Sequence, residues 1–167
     1  MTPAQQQAID EFRRLRGTDL FGPFVALLTS PDLLTRVSAL GEYLRYRSAL
    51  PQRLSEFVIL ITAAHWRQQY EWDLHAPIAL KAGVTQSILD ALAAGQRPEG
   101  LAEDEAALYD FCRAVHERTQ PATAVHARAV QAVGEQGVID AIGICGYYAM
   151  LAMVLNVENG PWAPTDK

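Results

Sequence analysis

Three side chains that can move protons lie in one short segment of the sequence: Glu56, Glu71 and His75. Glu71 and His75 are four residues apart, so on a helix they share a face and lie close enough to hydrogen-bond. A carboxylate beside an imidazole orients the ring and stabilises its protonated form, which tunes the histidine as an acid or base. Glu56 stands among apolar residues, where an isolated carboxylate is costly unless it is paired, hydrogen-bonded or protonated. The pattern indicates either proton chemistry or a charged group that braces the fold.

The same residues also admit structural roles. Pairs such as Glu71 and His75 are common on solvated helix faces, and Glu56 is equally consistent with an ion pair to Arg53 or Arg67. On one continuous helix Glu56 and Glu71 would lie about 22 Å apart. They act together only if the chain reverses between them, and the intervening sequence contains neither glycine nor proline to demand a reversal.

Neighbouring residues are candidates for binding a substrate. Gln68 is placed to bind substrate or water, and the aromatic rings of Tyr70 and Trp72 suit the wall of a pocket or an interface, or plain packing. His65, together with His75 and a glutamate, would suit a divalent ion, but the spacing matches no familiar metal signature. We therefore expect neither a metal nor a cofactor.

Arginine, histidine and tyrosine residues outside the segment have weaker signals. Arg45 precedes the glutamate and is a candidate cation for an anionic substrate, as is Arg47. His116 and His126 have the pattern of solvated helix residues. The adjacent tyrosines at 147 and 148 lie in an apolar run typical of a core, although one hydroxyl could still reach a pocket.

The elements that must position these residues are all helices, because helix signals recur along the chain and strand signals are nearly absent. The helix that begins near Pro51 is apolar on almost every side, so we expect it at the centre of the fold. No linker divides the chain, which predicts a single all-α domain over 1–167. The first predicted helix begins after Thr2, the second runs from Ser30 to about Ser48, and the third begins at Pro51. The next three cover about 69–81, Thr85 to near Gly95, and Glu103 to about Arg118. A short helix follows Thr123, and a long one runs from Val138 to about Asn156.

Composition argues against several kinds of partner and location. A net charge of −5 without a basic run argues against nucleic acid or an anionic membrane as the main partner. The apolar run Ala141–Leu155 is shorter than the roughly 20 residues that span a bilayer, so we expect no membrane. The polar N-terminus lacks a secretory signal, which makes the cytoplasm the expected location. Cys112 and Cys145 have no partner at metal or redox spacing and are expected to be two reduced, buried thiols.

The stretch Leu50–Val84, LPQRLSEFVILITAAHWRQQYEWDLHAPIALKAGV, resembles the core of the carboxymuconolactone decarboxylase and alkylhydroperoxidase-like family. Members often carry an arginine–glutamate–apolar helix, then a YEW-x-x-H-x-x-x-A segment and an AG turn. Residues 146–156, GYYAMLAMVLN, resemble the last core helix of the family. The resemblance implies an alkylhydroperoxidase-like helical bundle with a family core over about 40–160. Members usually form trimers or hexamers, so a homotrimer or homohexamer is expected.

In this family the glutamate helix and the histidine helix are antiparallel neighbours. The resemblance therefore implies a reversal of the chain between Ala64 and Gln69, which would bring Glu56 close to Glu71 and His75.

The departures from the family pattern restrict the chemistry. Peroxide-reducing members have cysteines seven and four residues before the histidine, and here those positions hold Gln68 and Glu71. Neither residue can form a thiolate or a disulfide, so that peroxidase mechanism is excluded. The decarboxylase branch lacks the cysteines and has a glutamate at the position of Glu71. It does not have a glutamate where Glu56 stands, and it has a basic residue at the position of Gln68.

Three kinds of function remain open. The first is a cofactor-free, decarboxylase-like enzyme acting on a small carboxylated lactone or unsaturated acid, in which His75 transfers a proton, Glu71 orients it and Glu56 tunes the charge. The second is a non-catalytic or small-ligand-binding oligomer with a structural Glu/His cluster. The third is a hydrolase or isomerase that uses the same pair on a different lactone.

Overall fold

The protein is described by a computed structural model over residues 1–117 and 120–159. These residues form helices and connecting loops without a β-strand, as the sequence predicts. The predicted end of one helix near Arg118 lies outside the described residues. The helices are α1 (Pro3–Arg16), α2 (Pro23–Leu27), α3 (Pro31–Tyr46), α4 (Gln52–Trp66), α5 (Gln69–Ala82), α6 (Gln86–Ala93), α7 (Glu103–His116) and α8 (Thr123–Asn159).

Helix boundaries follow local signals in the sequence. The side chain of Thr2 accepts a hydrogen bond from the backbone of Gln5 and caps α1, whose first residue is a proline. Gly17 and Gly83 end α1 and α5 in the left-handed conformation, with φ of 70° and 108°. These are the ends that the sequence predicts.

Helix α4 is the centre of the core, as its apolar sequence predicts. Four consecutive residues, 57–60, are fully buried, so every face of the helix is covered. Helices α5, α7 and α8 pack directly against it. A polar side chain on α4 therefore lies in the interior, where it needs a partner from a neighbouring helix.

The chain reverses between α4 and α5, as the resemblance implied. Arg67 ends α4 in the left-handed region, at φ 49° and ψ 44°, without being a glycine. The backbone N–H of Gln68 donates to the carbonyl of Ala63 at 2.9 Å. The side-chain oxygen of Gln68 then accepts from the N–H of Tyr70 at 2.9 Å and caps α5. The reversal makes α4 and α5 neighbours.

Two elements differ from the prediction. The short helix α2 was not predicted, because five residues are too few to show a helical period. Helix α8 consists of two helices that meet at a break at Gly134, at φ 75° and ψ 167°, as the sequence predicts, but the second begins directly after Gly134 and not at Val138.

Thr123–Glu158 is long and apolar enough to cross a membrane by length and composition, and the mean hydropathy of its most apolar 18-residue window is 1.9. Just over half of its most apolar window is buried inside the fold, as expected of a soluble protein's core helix, so this is weak evidence for a membrane span.

Candidate active site

His75 and Glu56 form a buried, hydrogen-bonded pair at the centre of the candidate site. His75 Nδ1 lies 2.6 Å from Glu56 Oε2, and both side chains are almost inaccessible to solvent. With Glu56 paired as a carboxylate, it only accepts hydrogen bonds, so Nδ1 is the donor. The proton on Nδ1 leaves Nε2 on the opposite side of the ring as the atom able to take up or release a proton.

Glu71 faces that second nitrogen. Its Oε2 lies 3.6 Å from His75 Nε2, one helical turn earlier on α5. Burial raises the pKa of Glu71 to about 7, although the positive charge of Arg45 acts in the opposite direction. Burial also lowers the pKa of His75, although the hydrogen bond that His75 donates to Glu56 acts to raise it. Near neutral pH, Glu71 can thus hold a transferable proton beside a neutral imidazole.

Arg45, from α3, is the cation nearest to this pair. Its guanidinium lies 4.0 Å from Glu56 Oε1, and its side chain is 16% exposed. The ion pair predicted for Glu56 with Arg53 or Arg67 is therefore wrong. Arg53 binds Asp104 at 2.5 Å and also binds Glu105. The ion pair with Arg45 depends on the packing of α3 against α4, which the sequence around Glu56 does not reveal.

A small cavity of about 20 Å³ opens onto Glu71 and His75. That volume holds about one water molecule. Its lining comes from several helices and consists of Arg16, Phe21, Pro23, Phe24, Arg45, Tyr70, Glu71, Leu74, His75, Tyr147, Tyr148 and Leu151. Glu56 is not among these residues, because it lies behind the imidazole ring.

Both tyrosines of α8 reach the cavity. The ring of Tyr148 meets the imidazole of His75 edge-on, with centroids 5.1 Å apart. Burial raises the pKa of Tyr147 to about 12 and also raises the pKa of Tyr148. Both hydroxyls therefore keep their protons at neutral pH and can donate hydrogen bonds.

Arg16 was missed by the sequence reasoning. Its guanidinium lies 3.5 Å from the hydroxyl of Tyr147. A Cβ at Gly41 would come within 2.0 Å of that hydroxyl and 2.6 Å of Arg16, so only glycine leaves room for this contact. An isolated glycine inside a helical pattern is the one local signal that could have indicated a close contact here.

Tyr70 and the loop before α2 close the cavity. Gly22 has φ 51°, and a Cβ there would lie 2.6 Å from the ring of Tyr70. The predicted place of Tyr70 in a pocket wall therefore agrees with the structure, and glycine permits the close contact.

Gln68 and Trp72 do not line this cavity. They lie at a separate, open surface cavity of about 530 Å³ that also includes Arg67 and the end of α6, but neither Glu71 nor His75. Gln68 is occupied in capping α5 and in donating to Asn156 Oδ1 at 2.7 Å. The structure therefore does not bring these two side chains to the cavity at His75, and their role in binding a substrate stays a prediction. The larger cavity lacks an acid–base pair, so the smaller one is the better candidate for chemistry.

The prediction for His116 needs correction, whereas the prediction for the two cysteines is confirmed. His116 is half-buried and lies 3.0 Å from the hydroxyl of Thr62, whereas His126 is exposed as predicted. Cys112 and Cys145 are free, buried thiols, as predicted. His65 stacks on His116 at 4.7 Å instead of approaching His75. Within residues 1–117 and 120–159, no cluster of three or more potential ligands could hold a metal ion.

Comparison with known proteins agrees with this architecture. Two crystal structures of the debrominase Bmp8, one without ligand and one of a cysteine-to-alanine variant with 2,3,4-tribromopyrrole, each superpose with a TM-score of 0.71 at 15% identity. Each match covers 97% of this chain and 87% of Bmp8, which confirms the predicted alkylhydroperoxidase-like helical bundle. No curated protein sequence matches the chain significantly. The model of the carboxymuconolactone decarboxylase family matches residues 31–116, just over half of the sequence. The chain therefore belongs to the carboxymuconolactone decarboxylase family.

Proposed function

We propose that this protein is a cofactor-free decarboxylase of a small carboxylated lactone or a related unsaturated acid. The observation that carries the proposal is the pairing of Glu71 with His75 Nε2 on the wall of a cavity that also contains two arginines. A protonated carboxyl beside a neutral imidazole supplies the proton that decarboxylation requires, and the arginines supply the attraction for an anionic substrate.

The reaction needs one bond broken and one proton delivered. When the carbon–carbon bond to the carboxylate breaks, carbon dioxide leaves and the electron pair remains on the substrate, delocalised towards the lactone carbonyl. Glu71 then donates its proton to that carbon, and His75 Nε2 returns a proton from solvent to Glu71. The distances favour Glu56, at 2.6 Å from Nδ1, as the residue that orients the imidazole. Glu71 borders the cavity and Glu56 does not, so Glu71 is the better placed of the two carboxyl groups to donate a proton to the substrate.

Arg45 and Arg16 are the proposed binding groups for the carboxylate. The Nε atoms of both are buried without a hydrogen-bond partner. A buried donor without a partner is costly, and an anion between the two guanidinium groups would satisfy it. The hydroxyls of Tyr147 and Tyr148 are placed to donate to the lactone oxygen as negative charge develops there.

A ring-sized substrate requires a wider cavity than the one observed, which holds about one water molecule. Tyr70 and the segment that leads into α2 cover the site, and α2 is only five residues long. Separation of these two elements is the proposed route of entry, because the loop carrying Gly22 contacts Tyr70 directly.

Carbon dioxide release from carboxymuconolactone tests the proposal. We expect turnover by the parent protein, and a KM about 10–100-fold higher for Arg45→Gln, which corresponds to the loss of a charged hydrogen bond of about 1.5–3 kcal/mol. Arg47→Gln is the matched control, since Arg47 is well exposed and pairs with Glu42; its KM should not change.

Two results would contradict the proposal. One is the absence of carbon dioxide release from carboxymuconolactone and from related unsaturated carboxylic acids. The other is an equal change of KM in both arginine variants, which would show that the cavity does not bind the carboxylate.

The small size of the cavity favours one alternative, a non-catalytic or small-ligand-binding oligomer in which the Glu/His cluster is structural. In that case a small ligand should shift the melting temperature without turnover. Stability should also fall on replacing any of the three cluster residues, because each would then serve only to brace the fold.

Oligomerisation is a separate proposal, with the cytoplasm as the proposed location. One face of α8 exposes apolar side chains at helical spacing, at Ile139, Ile142, Met153 and Val157, with the exposed Gly146 between them. Such a stripe suits packing against a second copy. We expect the parent protein to have the mass of a trimer or hexamer by light scattering, and Met153→Glu to lower it. Leu33→Glu, at an exposed apolar residue of α3, is the control and should leave the mass unchanged; a monomeric parent would contradict the proposal.

A further inference from the structure

Two arginines border the active-site cavity, and only one of them has a carboxylate partner. Arg45 lies 4.0 Å from Glu56 Oε1, and that carboxylate also accepts a hydrogen bond from the buried imidazole. Within residues 1–117 and 120–159, the polar contacts of Arg16 are all neutral: its guanidinium donates to the carbonyl of Ser38 at 3.4 Å and to the hydroxyl of Tyr147 at 3.5 Å. A guanidinium shielded from water is costly without an anion, so this wall of the cavity favours a negative charge.

The cavity is also rich in hydrogen-bond donors that the protein does not use. The Nε atoms of Arg16 and Arg45 are inaccessible to solvent and have no partner in the part of the chain that the structure describes. The hydroxyl of Tyr147 accepts from Arg16, so its own proton is free to be donated, and Tyr148 brings a second hydroxyl to the same cavity. Several donors around one small space stabilise an anion far better than they stabilise a neutral molecule.

The charges at the site leave one positive charge without a counterpart. Arg16 and Arg45 supply two positive charges, and Glu56 supplies one negative charge. Glu71, the carboxyl group on the cavity wall, is mostly uncharged below its pKa of about 7, which burial raises, and burial also keeps His75 neutral by lowering its pKa. One monovalent anion between the arginines would complete the balance.

The size of the cavity restricts which anion fits. Its volume is about 20 Å³, enough for about one water molecule. A chloride ion is a single atom close to a water molecule in size. Sulfate, phosphate and organic carboxylates have several heavy atoms and need the wider, opened cavity.

We propose that the closed cavity is a chloride site between Arg16 and Arg45, and that chloride occupies the place of the substrate's carboxylate. The binding of chloride follows from the donors, the charge and the volume, whereas its competition with a substrate rests on the proposed function. Because the ion fits only the closed cavity, it also stabilises the contact between Tyr70 and the loop that carries Gly22. Chloride is then an inhibitor that holds the site shut until the substrate displaces it.

Thermal melting in sodium chloride, with sodium gluconate at equal ionic strength as the reference, tests the site. Chloride should raise the melting temperature of the parent protein in a saturable way, by about 3–6 °C at ten times its dissociation constant. Arg16→Gln and Arg45→Gln should lose this shift. Arg47→Gln is the matched control and should keep it, because Arg47 is well exposed and pairs with Glu42.

Diffraction from crystals of the parent protein grown in sodium bromide gives a second measurement that does not depend on how the variants fold. We expect an anomalous peak in the cavity, in contact with the Nε atoms of both arginines. Bromide peaks confined to the protein surface would mark an adventitious ion only and would overturn the proposal. Equal melting shifts in Arg45→Gln and Arg47→Gln would also overturn it.

Kinetics separate this proposal from the proposed function. If the parent protein turns over a carboxylated lactone, chloride at ten times its dissociation constant should raise KM about elevenfold and leave kcat unchanged. An unchanged KM would overturn the competition between chloride and substrate. A saturable chloride shift and a bromide peak in a protein without turnover would support the anion site and count against the decarboxylase.

Discussion

Glu56→Ala is expected to lower the free energy of unfolding by about 3–5 kcal/mol, the usual cost of removing one partner from a buried charge pair. The loss leaves Arg45 without its only carboxylate partner among the ion pairs of the described residues, and it leaves the Nδ1 proton of His75 without an acceptor. Both groups are largely inaccessible to water, so solvent cannot replace the missing carboxylate. Urea denaturation at pH 7 measures the change directly.

An exposed ion pair provides the control for this loss. Glu117 pairs with Arg113 at 2.6 Å, but both side chains are about half exposed, so Glu117→Ala should change the unfolding free energy by less than about 1 kcal/mol. Glu56→Gln retains a hydrogen-bond acceptor for His75, so its loss of unfolding free energy should lie between the losses for Glu56→Ala and Glu117→Ala. Equal losses from Glu56→Ala and Glu117→Ala would show that the buried pair does not anchor the site.

The sequence predicted the fold because its signals are local. Thr2 with Pro3, and the glycines at 17 and 83, mark helix ends by their own conformational preferences. The reversal at Arg67 has no such signal, since a non-glycine residue in the left-handed region is held by surrounding contacts. Only the family resemblance placed the turn there.

The candidate site was predicted in part for the same reason. The pair Glu71 and His75 follows from helical spacing, which is fixed by the geometry of the backbone. The positions of Arg16 and Arg45 depend on how other helices pack against α4. The sequence around Glu56 does not reveal this packing. Gln68 was assigned to the substrate because a family position was matched, yet its side chain caps a helix and faces another cavity.

Glu71→Gln is expected to lower turnover by about 10²–10⁴-fold, the usual loss when an acid–base group is removed. The same change should raise stability at pH 8. Burial raises the pKa of Glu71 from 4.5 to about 7, so between these values the unfolded chain releases a proton that the folded chain retains. The parent protein should therefore become less stable as pH rises through this interval and level off above it, with a total change of up to about 3 kcal/mol.

Urea denaturation of Glu71→Gln across pH 4 to 8 should show a flatter profile than the parent, with the gain largest at pH 8, since glutamine does not ionise. Glu103→Gln, at an exposed position, should follow the parent at every pH. If Glu71→Gln were less stable than the parent at pH 8, Glu71 would be a structural anchor. If this variant kept full turnover, Glu71 would not be the proton donor. A more stable protein without activity is the outcome that separates the two functions. A carboxylate kept only as a scaffold would be under no selection to remain buried at a cost, whereas a proton donor needs the raised pKa that causes that cost.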